Sequence, residues 1–420
     1  MILEKKFTQN NLLFSVLIKF LGGFSLLYFL FISLFINLHS GDNSAFASQV
    51  VNFDFLVSRF NNWSSRLFIE SLLVYLAKHD ALFIFINGLI LFITPYLIYK
   101  IKDNFNLDKQ NILSLSCIFA IFFIYSYKYM GSAGFRATFL NYYYPFSALV
   151  IAVFFASLKK NFFTYLGFVI FTIFAINQEL LAINVLLASF ALILIYKKDI
   201  SSYVVIAFIL SLFMVVFAAL CPGNNLRFAA EINNWLPEFK DYSIFYKCYL
   251  GILSTAHLYF MDRSTVFLFF IMVLIYALSK KLSFSFITAF FYYFTQKAFA
   301  NFDKAYLFNY KFEFDYFAFF SLIYLIVSLC LILLALIKLE FEKQEKIIIL
   351  IVIFSSFAAR CAMGFSPTIF ASAERTFLFL DFSLLLIAAF IILKIKPNAK
   401  ALFWLLFIPC FRVVFSNLRI

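Results

Sequence analysis

Residues 203–221 read YVVIAFILSLFMVVFAALC, nineteen positions without a charge, an amide side chain or a proline. At about 1.5 Å of rise per residue, such a run as a helix covers roughly 30 Å, the thickness of a bilayer hydrocarbon core. Its polarity does not alternate, so it is no barrel strand. Lys197 and Lys198 stand just before it, and Pro222, Gly223 and Asn224 follow it. Working outward, comparable apolar runs lie at about 14–37, 81–99, 112–130, 145–158, 162–176, 180–196, 264–279, 282–295, 316–337, 347–359, 377–393 and 401–415. The reading is an all-α polytopic membrane protein with about 11–13 transmembrane helices, forming a single transmembrane domain over 1–420. Segments 67–77 and 244–260 are too short or too amphipathic to span and are expected as helices lying at the membrane surface or partly inserted.

Composition agrees. Of 420 residues, 65% are hydrophobic and 13% charged, against roughly 45–50% and 25% in soluble proteins. This excludes a soluble enzyme and, despite the net charge of +13, a nucleic-acid-binding chain. The 66 Phe read as compositional drift at lipid-facing positions. Ala45, Phe46 and Ala47 have the form of a signal-peptidase site, but the preceding run is too long for a signal peptide, so an uncleaved first span is expected. Six cysteines without a CxxC pair and three scattered histidines give no metal-ligand spacing. No metal or cofactor is expected.

Lys100 and Lys102, Lys159 and Lys160, Lys197 and Lys198, Lys280 and Lys281, and Lys394 and Lys396 fall in alternate connections. The positive-inside rule then places them and the N-terminus in the cytoplasm. The nine arginines, Arg59, Arg66, Arg136, Arg227, Arg263, Arg360, Arg375, Arg412 and Arg419, all fall on the opposite side. A chain that uses Lys for generic positive charge keeps Arg where a planar fork matters, chiefly on phosphate or carboxylate. As a set, they point to an outer site that handles an anionic group.

The outer segments are 38–80, 222–263 and 360–376, with shorter connections between. Asp42, just past the first span, is placed where partial desolvation would suit it to general-base work; Asp54 competes with it. Trp63 and Arg66 join an aromatic to a fork-shaped cation. The tyrosines 142–144 read as an interfacial aromatic belt. Asn177, Gln178 and Glu179 interrupt an otherwise apolar run, and an acid at membrane depth is a functional candidate. The string Pro222, Gly223, Asn224, Asn225, Leu226, Arg227 reads as a turn able to cradle an anion. Arg360, Ser366, Thr368, Glu374 and Arg375 crowd the last outer segment, with Asp381 one to two turns deeper.

These segments, in this order, resemble GT-C-type membrane glycosyltransferases, and more narrowly a group of bacterial proteins allied to the lipid-linked glucosyl transferases of surface-polysaccharide modification. The shared pattern is an acid after span one (Asp42), W-x-G-R (Trp63 to Arg66), a polar triplet (Asn177 to Glu179), P-G-N-x-x-R (Pro222 to Arg227) and S-P-T…E-R-T (Ser366 to Thr376). Ser65 departs from the family's Gly, and the acid is single where many relatives carry a pair. The resemblance implies a polyprenyl-phosphate sugar donor and a cell-surface glycan or lipid acceptor, with membrane lipids around the chain. The reaction would run on the outer face of a bacterial cytoplasmic membrane. An acid, Asp42 or Glu179, would deprotonate the acceptor. Trp63, Arg66, Asn177, Asn224, Arg227, Arg360, Ser366, Thr368, Glu374 and Arg375 would bind substrate. The alternatives are a flippase or transporter for a lipid-linked or anionic glycan, and a polysaccharide polymerase.

Overall fold

The computed structural model describes residues 2–101, 112–131, 133–260, 264–299, 316–372 and 374–417; Lys102, Arg263 and Arg419 lie outside them. Among the described residues there is no strand. In chain order the helices are α1 (Ile2–Phe31), α2 (Asn43–Ala47), α3 (Phe53–Asn62), α4 (Leu67–Ala77), α5 (Asp80–Ile101), α6 (Ile112–Phe123), α7 (Phe135–Thr138), α8 (Tyr144–Ser157), α9 (Phe162–Ile176) and α10 (Glu179–Tyr196). They continue as α11 (Ser202–Leu220), α12 (Pro222–Trp235), α13 (Ile244–Phe260), α14 (Thr265–Ser279), α15 (Leu282–Phe299), α16 (Tyr316–Lys338), α17 (Lys343–Cys361), α18 (Leu378–Ile395) and α19 (Ala399–Asn417).

Eight helical stretches are long and apolar enough to cross a membrane: Leu12–Phe35, Asp80–Ile101, Phe135–Ser157, Glu179–Asp199, Ser202–Leu220, Ala318–Lys338, Lys343–Phe365 and Glu374–Ile395. The chain is an all-α, multi-pass membrane protein. Every run read as a span is wholly or largely helical, but five of the thirteen are not among these eight: α6, α9, α14 and the first part of α15 are shorter apolar helices, and 401–415 lies in α19. In α6 and α14 the apolar residues face protein: Cys117 to Phe123 and Val266 to Leu274 are all buried. Hydropathy alone does not separate such core helices from lipid-facing spans. The centre of the bundle is the stretch Glu374–Ile395, 83% buried over its most apolar window, and the rim includes Ser202–Leu220, at 11%. Helix α18 packs against α14 and α17, α10 against α11 and α17, and α1 against α5, α6 and α19.

The two segments expected at the membrane surface or partly inserted are helical, and each packs one face into the protein. Ile69, Leu73 and Leu76 of α4 belong to the main core, and Leu250 and Leu253 of α13 to a second cluster with Met363 and Ile369. The tyrosine belt is also corrected. Phe139–Tyr143 forms a π-helical turn leading into α8, and Tyr143 and Tyr144 are buried among aromatic rings rather than set at headgroups. Such a turn carries one residue more than an α-turn and is frequent at functional sites.

Helices α10, α14 and α18 each close on a lysine with positive φ: Lys197 at 46°, Lys280 at 55° and Lys396 at 45°. Glycine is the usual residue there, and a side chain costs about 1–2 kcal/mol. A cation at a helix C-terminus offsets part of that cost. Lys280→Gly is therefore expected to raise the thermal unfolding midpoint in detergent; a fall would show that the lysine charge outweighs the backbone strain.

Candidate functional site

Four of the connections and end turns singled out in the sequence meet at one end of the bundle, and glycines set how closely they approach. Gly41 (φ +61°) and Gly134 (φ +89°) hold left-handed turns against each other, and a Cβ on Gly134 would lie 2.4 Å from the Ser40 carbonyl oxygen. Only glycine suits both the dihedral and the gap. The Asp42 amide donates to the Ala133 carbonyl (3.1 Å), and the Ala137 amide donates to Asn43 Oδ1 (3.0 Å). This clip holds Asp42, itself exposed, at the rim of the site. The 222–227 string is not a turn: Pro222 is the first residue of α12 and Gly223 is not left-handed. Gly223 serves contact, since a Cβ there would lie 2.2 Å from the Trp63 amide nitrogen.

Ser65 joins three of the polar segments. Its hydroxyl donates to Glu179 Oε1 (3.1 Å) and accepts from Asn224 Nδ2 (3.0 Å). Its carbonyl accepts from Asn177 Nδ2 (3.3 Å), whose Oδ1 accepts from the Ile69 amide (3.2 Å). A buried polar atom stripped of its partner costs about 1–3 kcal/mol. Ser65→Ala should destabilise the folded protein by that order, read as a lower unfolding midpoint in detergent. An unchanged midpoint would remove Ser65 from this role.

Above Ser65 runs an alternating line of charge. Arg66 Nε lies 3.2 Å from Glu179 Oε2, Arg227 Nη2 3.7 Å from Glu179 Oε1, and Arg227 Nε 3.8 Å from Glu231 Oε1. Arg66 Nη1 also donates to Asn141 Oδ1 on the π-turn (2.8 Å). Burial alone would lower the Arg66 pKa, but the nearby Glu179 carboxylate reverses this and the net shift is upward. Across the site, Ser366 and Thr368 share a hydrogen bond (2.9 Å), and Arg375 Nη2 donates to Ser372 Oγ (2.9 Å). Arg375 Nε is buried and has no hydrogen-bond partner.

These groups enclose a cavity of about 560 Å³. Of the residues named from sequence, Asp42, Trp63, Arg66, Glu179, Asn224, Arg227, Ser366, Thr368 and Arg375 line it. Three others do not. Asn177 is spent on Ser65 and Ile69. Arg360 is 2% exposed behind the wall, with Nη2 on Ser254 Oγ (3.2 Å) and its guanidinium 4.2 Å over the Phe377 ring. Glu374 lines a separate space of about 30 Å³ with Asp381, which accepts from Tyr259. Glu70 and Glu231 line the main cavity and were not named, and Tyr142, read from sequence as part of an aromatic belt, lines it too. Glu231 stands four residues after Arg227, the spacing of one helix face, a signal hidden while that segment was read as a turn.

The arginine set therefore divides. Arg136, fully buried, bonds Asp80 and the Ala77 carbonyl, and Arg59 pairs with Glu70. Those two are structural, and Arg66 and Arg227 are paired with acids in the cavity wall. The cavity carries three guanidiniums and four carboxylates, Asp42, Glu70, Glu179 and Glu231, so it is no simple cationic basin. A second cavity, about 580 Å³ and apolar, lies among α8, α9, α10, α11, α17 and α18. Its polar wall is a hydrogen-bonded line, Asn184 to Ser356 (3.1 Å) and Ser356 to Ser383 (2.6 Å).

The fold and site define a multi-pass helical membrane protein with a charged, aromatic-edged cavity at one end of its bundle. No family model, no characterised protein and no solved structure matches the chain.

Proposed function

We propose that this cavity transfers a sugar from a polyprenyl-phosphate donor to a cell-surface glycan or lipid acceptor, on the outer face of a bacterial cytoplasmic membrane. One observation carries the reading. Among the described residues, Arg375 is the cavity guanidinium without a carboxylate partner; its buried Nε is unsatisfied, its Nη2 donates to Ser372, and Ser366 and Thr368 line the same cavity. A desolvated fork with hydroxyls around it is what a phosphate monoanion requires. The acceptor oxygen would bond to the anomeric carbon, and the carbon–oxygen bond to the phosphate would break with its electron pair. Arg375 would stabilise the charge that develops there.

Two further features support a lipid-linked donor. Trp63 and Tyr142 give the cavity aromatic faces of the kind sugar rings stack on. The first turns of α10 stand between the polar cavity, lined by Leu180 and Ile183, and the apolar one, lined by Leu181 and Asn184, so apolar space for a lipid chain lies one helix away from the polar site. Transport has less support. Arg360, in the last turn of α17, and Asp381, in the first turn of α18, lie at the helix ends nearest the site, not at the bundle's middle, where a translocation pathway places its charges.

Purified protein in detergent, given a polyprenyl-phosphate hexose, should release polyprenyl phosphate. A transporter would do so in neither detergent nor vesicles. Orientation is tested separately. With exposed Cys248 and Cys330 replaced by Ser, a Ser44→Cys variant should react with an impermeant maleimide in intact cells, and a Ser202→Cys variant should react after lysis alone. The reverse pattern would invert the topology and place the cavity on the cytoplasmic side.

A further inference from the structure

The sequence puts the proton-accepting role on Asp42 or Glu179, and the cavity geometry favours neither. Glu179 accepts from Ser65 and faces two guanidiniums, and a carboxylate so neutralised is a poor proton acceptor. Glu70 is buried against Arg59. Asp42 is exposed at the rim, open to water rather than enclosed with the reacting groups.

Glu231 differs from all three. Asn224, Arg227, Phe228 and Glu231 line the cavity as one stripe of α12, at the i, i+3, i+4, i+7 spacing of a helix face. Pro222 at the helix start and Gly223 jammed against Trp63 fix the rotation of that stripe. Glu231 makes no hydrogen bond among the described residues, and its ion-pair contact is Arg227 at 3.8 Å. The charges facing it are Arg227 on its own helix, Arg66 before α4, Glu179 at the start of α10 and Arg375 before α18. It thus stands among the groups the donor phosphate would meet, with neither oxygen in a hydrogen bond among the described residues.

We propose that Glu231 is the proton acceptor of the transfer and that Arg227 is the residue that positions it. This rests on the glycosyl-transfer reading. The acceptor hydroxyl loses its proton to a Glu231 oxygen as its own oxygen bonds the anomeric carbon, and polyprenyl phosphate departs with the electron pair. Half-burial raises the Glu231 pKa, with Arg227 and Arg66 opposing but not cancelling the shift. That brings its basicity closer to the working pH.

The test uses purified protein, a polyprenyl-phosphate hexose and release of polyprenyl phosphate, which counts transfer to an acceptor or to water alike. Glu231→Gln should lower release by about 10²–10⁴-fold, while polyprenyl phosphate still raises the unfolding midpoint as it does in the wild type. The accepting form is the unprotonated one, so a raised pKa moves the loss of activity upward in pH. The wild-type rate should therefore fall on the acid side with an inflection above about 4.3, the ordinary Glu value. Glu231→Asp should keep that limb at a lower rate, and Glu231→Gln should lose it. Release by Glu231→Gln at half the wild-type rate or more would overturn the assignment and leave the function standing; loss in Asp42→Asn instead would move the base to Asp42. No release by the wild type would take down the function itself.

Discussion

Replacing Arg375 with Ala is expected to lower turnover of a polyprenyl-phosphate sugar by about a hundredfold or more. A preorganised cation at a developing charge is worth roughly 10²–10³ in rate where oxyanion donors have been removed. Arg375 is suited to that task because its fork is held by Ser372 and its Nε is unclaimed. Arg375→Lys keeps the charge and removes the fork. If the contact with phosphate is bidentate, this milder change should still cost roughly tenfold. If Lys restores full activity, the residue acts as a point charge and the bidentate contact is wrong. Equal activity of the Ala variant would remove Arg375 from the site altogether.

Glu179→Gln is expected to act on the fold first. The carboxylate side chain, 25% exposed, faces both Arg66 and Arg227. Removing one member of a buried pair costs about 3–5 kcal/mol. Partial exposure and the intact Arg227–Glu231 contact reduce this to roughly 2–4 kcal/mol here. The unfolding midpoint in detergent should fall clearly, and the protein that remains folded should keep the acid limb of its pH–rate profile. If Glu179→Gln unfolds at the wild-type temperature but abolishes turnover and the acid limb together, Glu179 is the base and the clamp is secondary.

The fold class was legible because 203–221 and its counterparts are too apolar and too long for anything but helices at membrane depth. The number of spans was less so. Helix α14 is as apolar as a span, yet it is enclosed by protein, and local sequence does not distinguish lipid from core. Much of the cavity was also legible: Asp42, Trp63, Arg66, Glu179, Asn224, Arg227, Ser366, Thr368 and Arg375 share it because the polar breaks between helices fall at one end. What sequence did not reveal was pairing. Arg66 and Arg375 look alike in one dimension, but one is neutralised by Glu179 from more than a hundred residues away and the other is not. The same gap hid Glu231. Reading 222–227 as a turn removed the helical period that places residue 231 beside 227. Arg360 reads as an outer cation, yet tertiary packing puts it on Ser254 and Phe377.

We propose that a lipid-linked phosphate binds at Arg375. The most direct measurement is an experimental structure of the protein with polyprenyl phosphate bound. The phosphate is expected within about 3 Å of Arg375 Nε, with a hydroxyl of Ser366 or Thr368 as a second ligand and Glu231 facing the space where the sugar would sit. A phosphate found on the opposite side of the bundle, or held by the lysine connections with the Arg375 cavity empty, would contradict it.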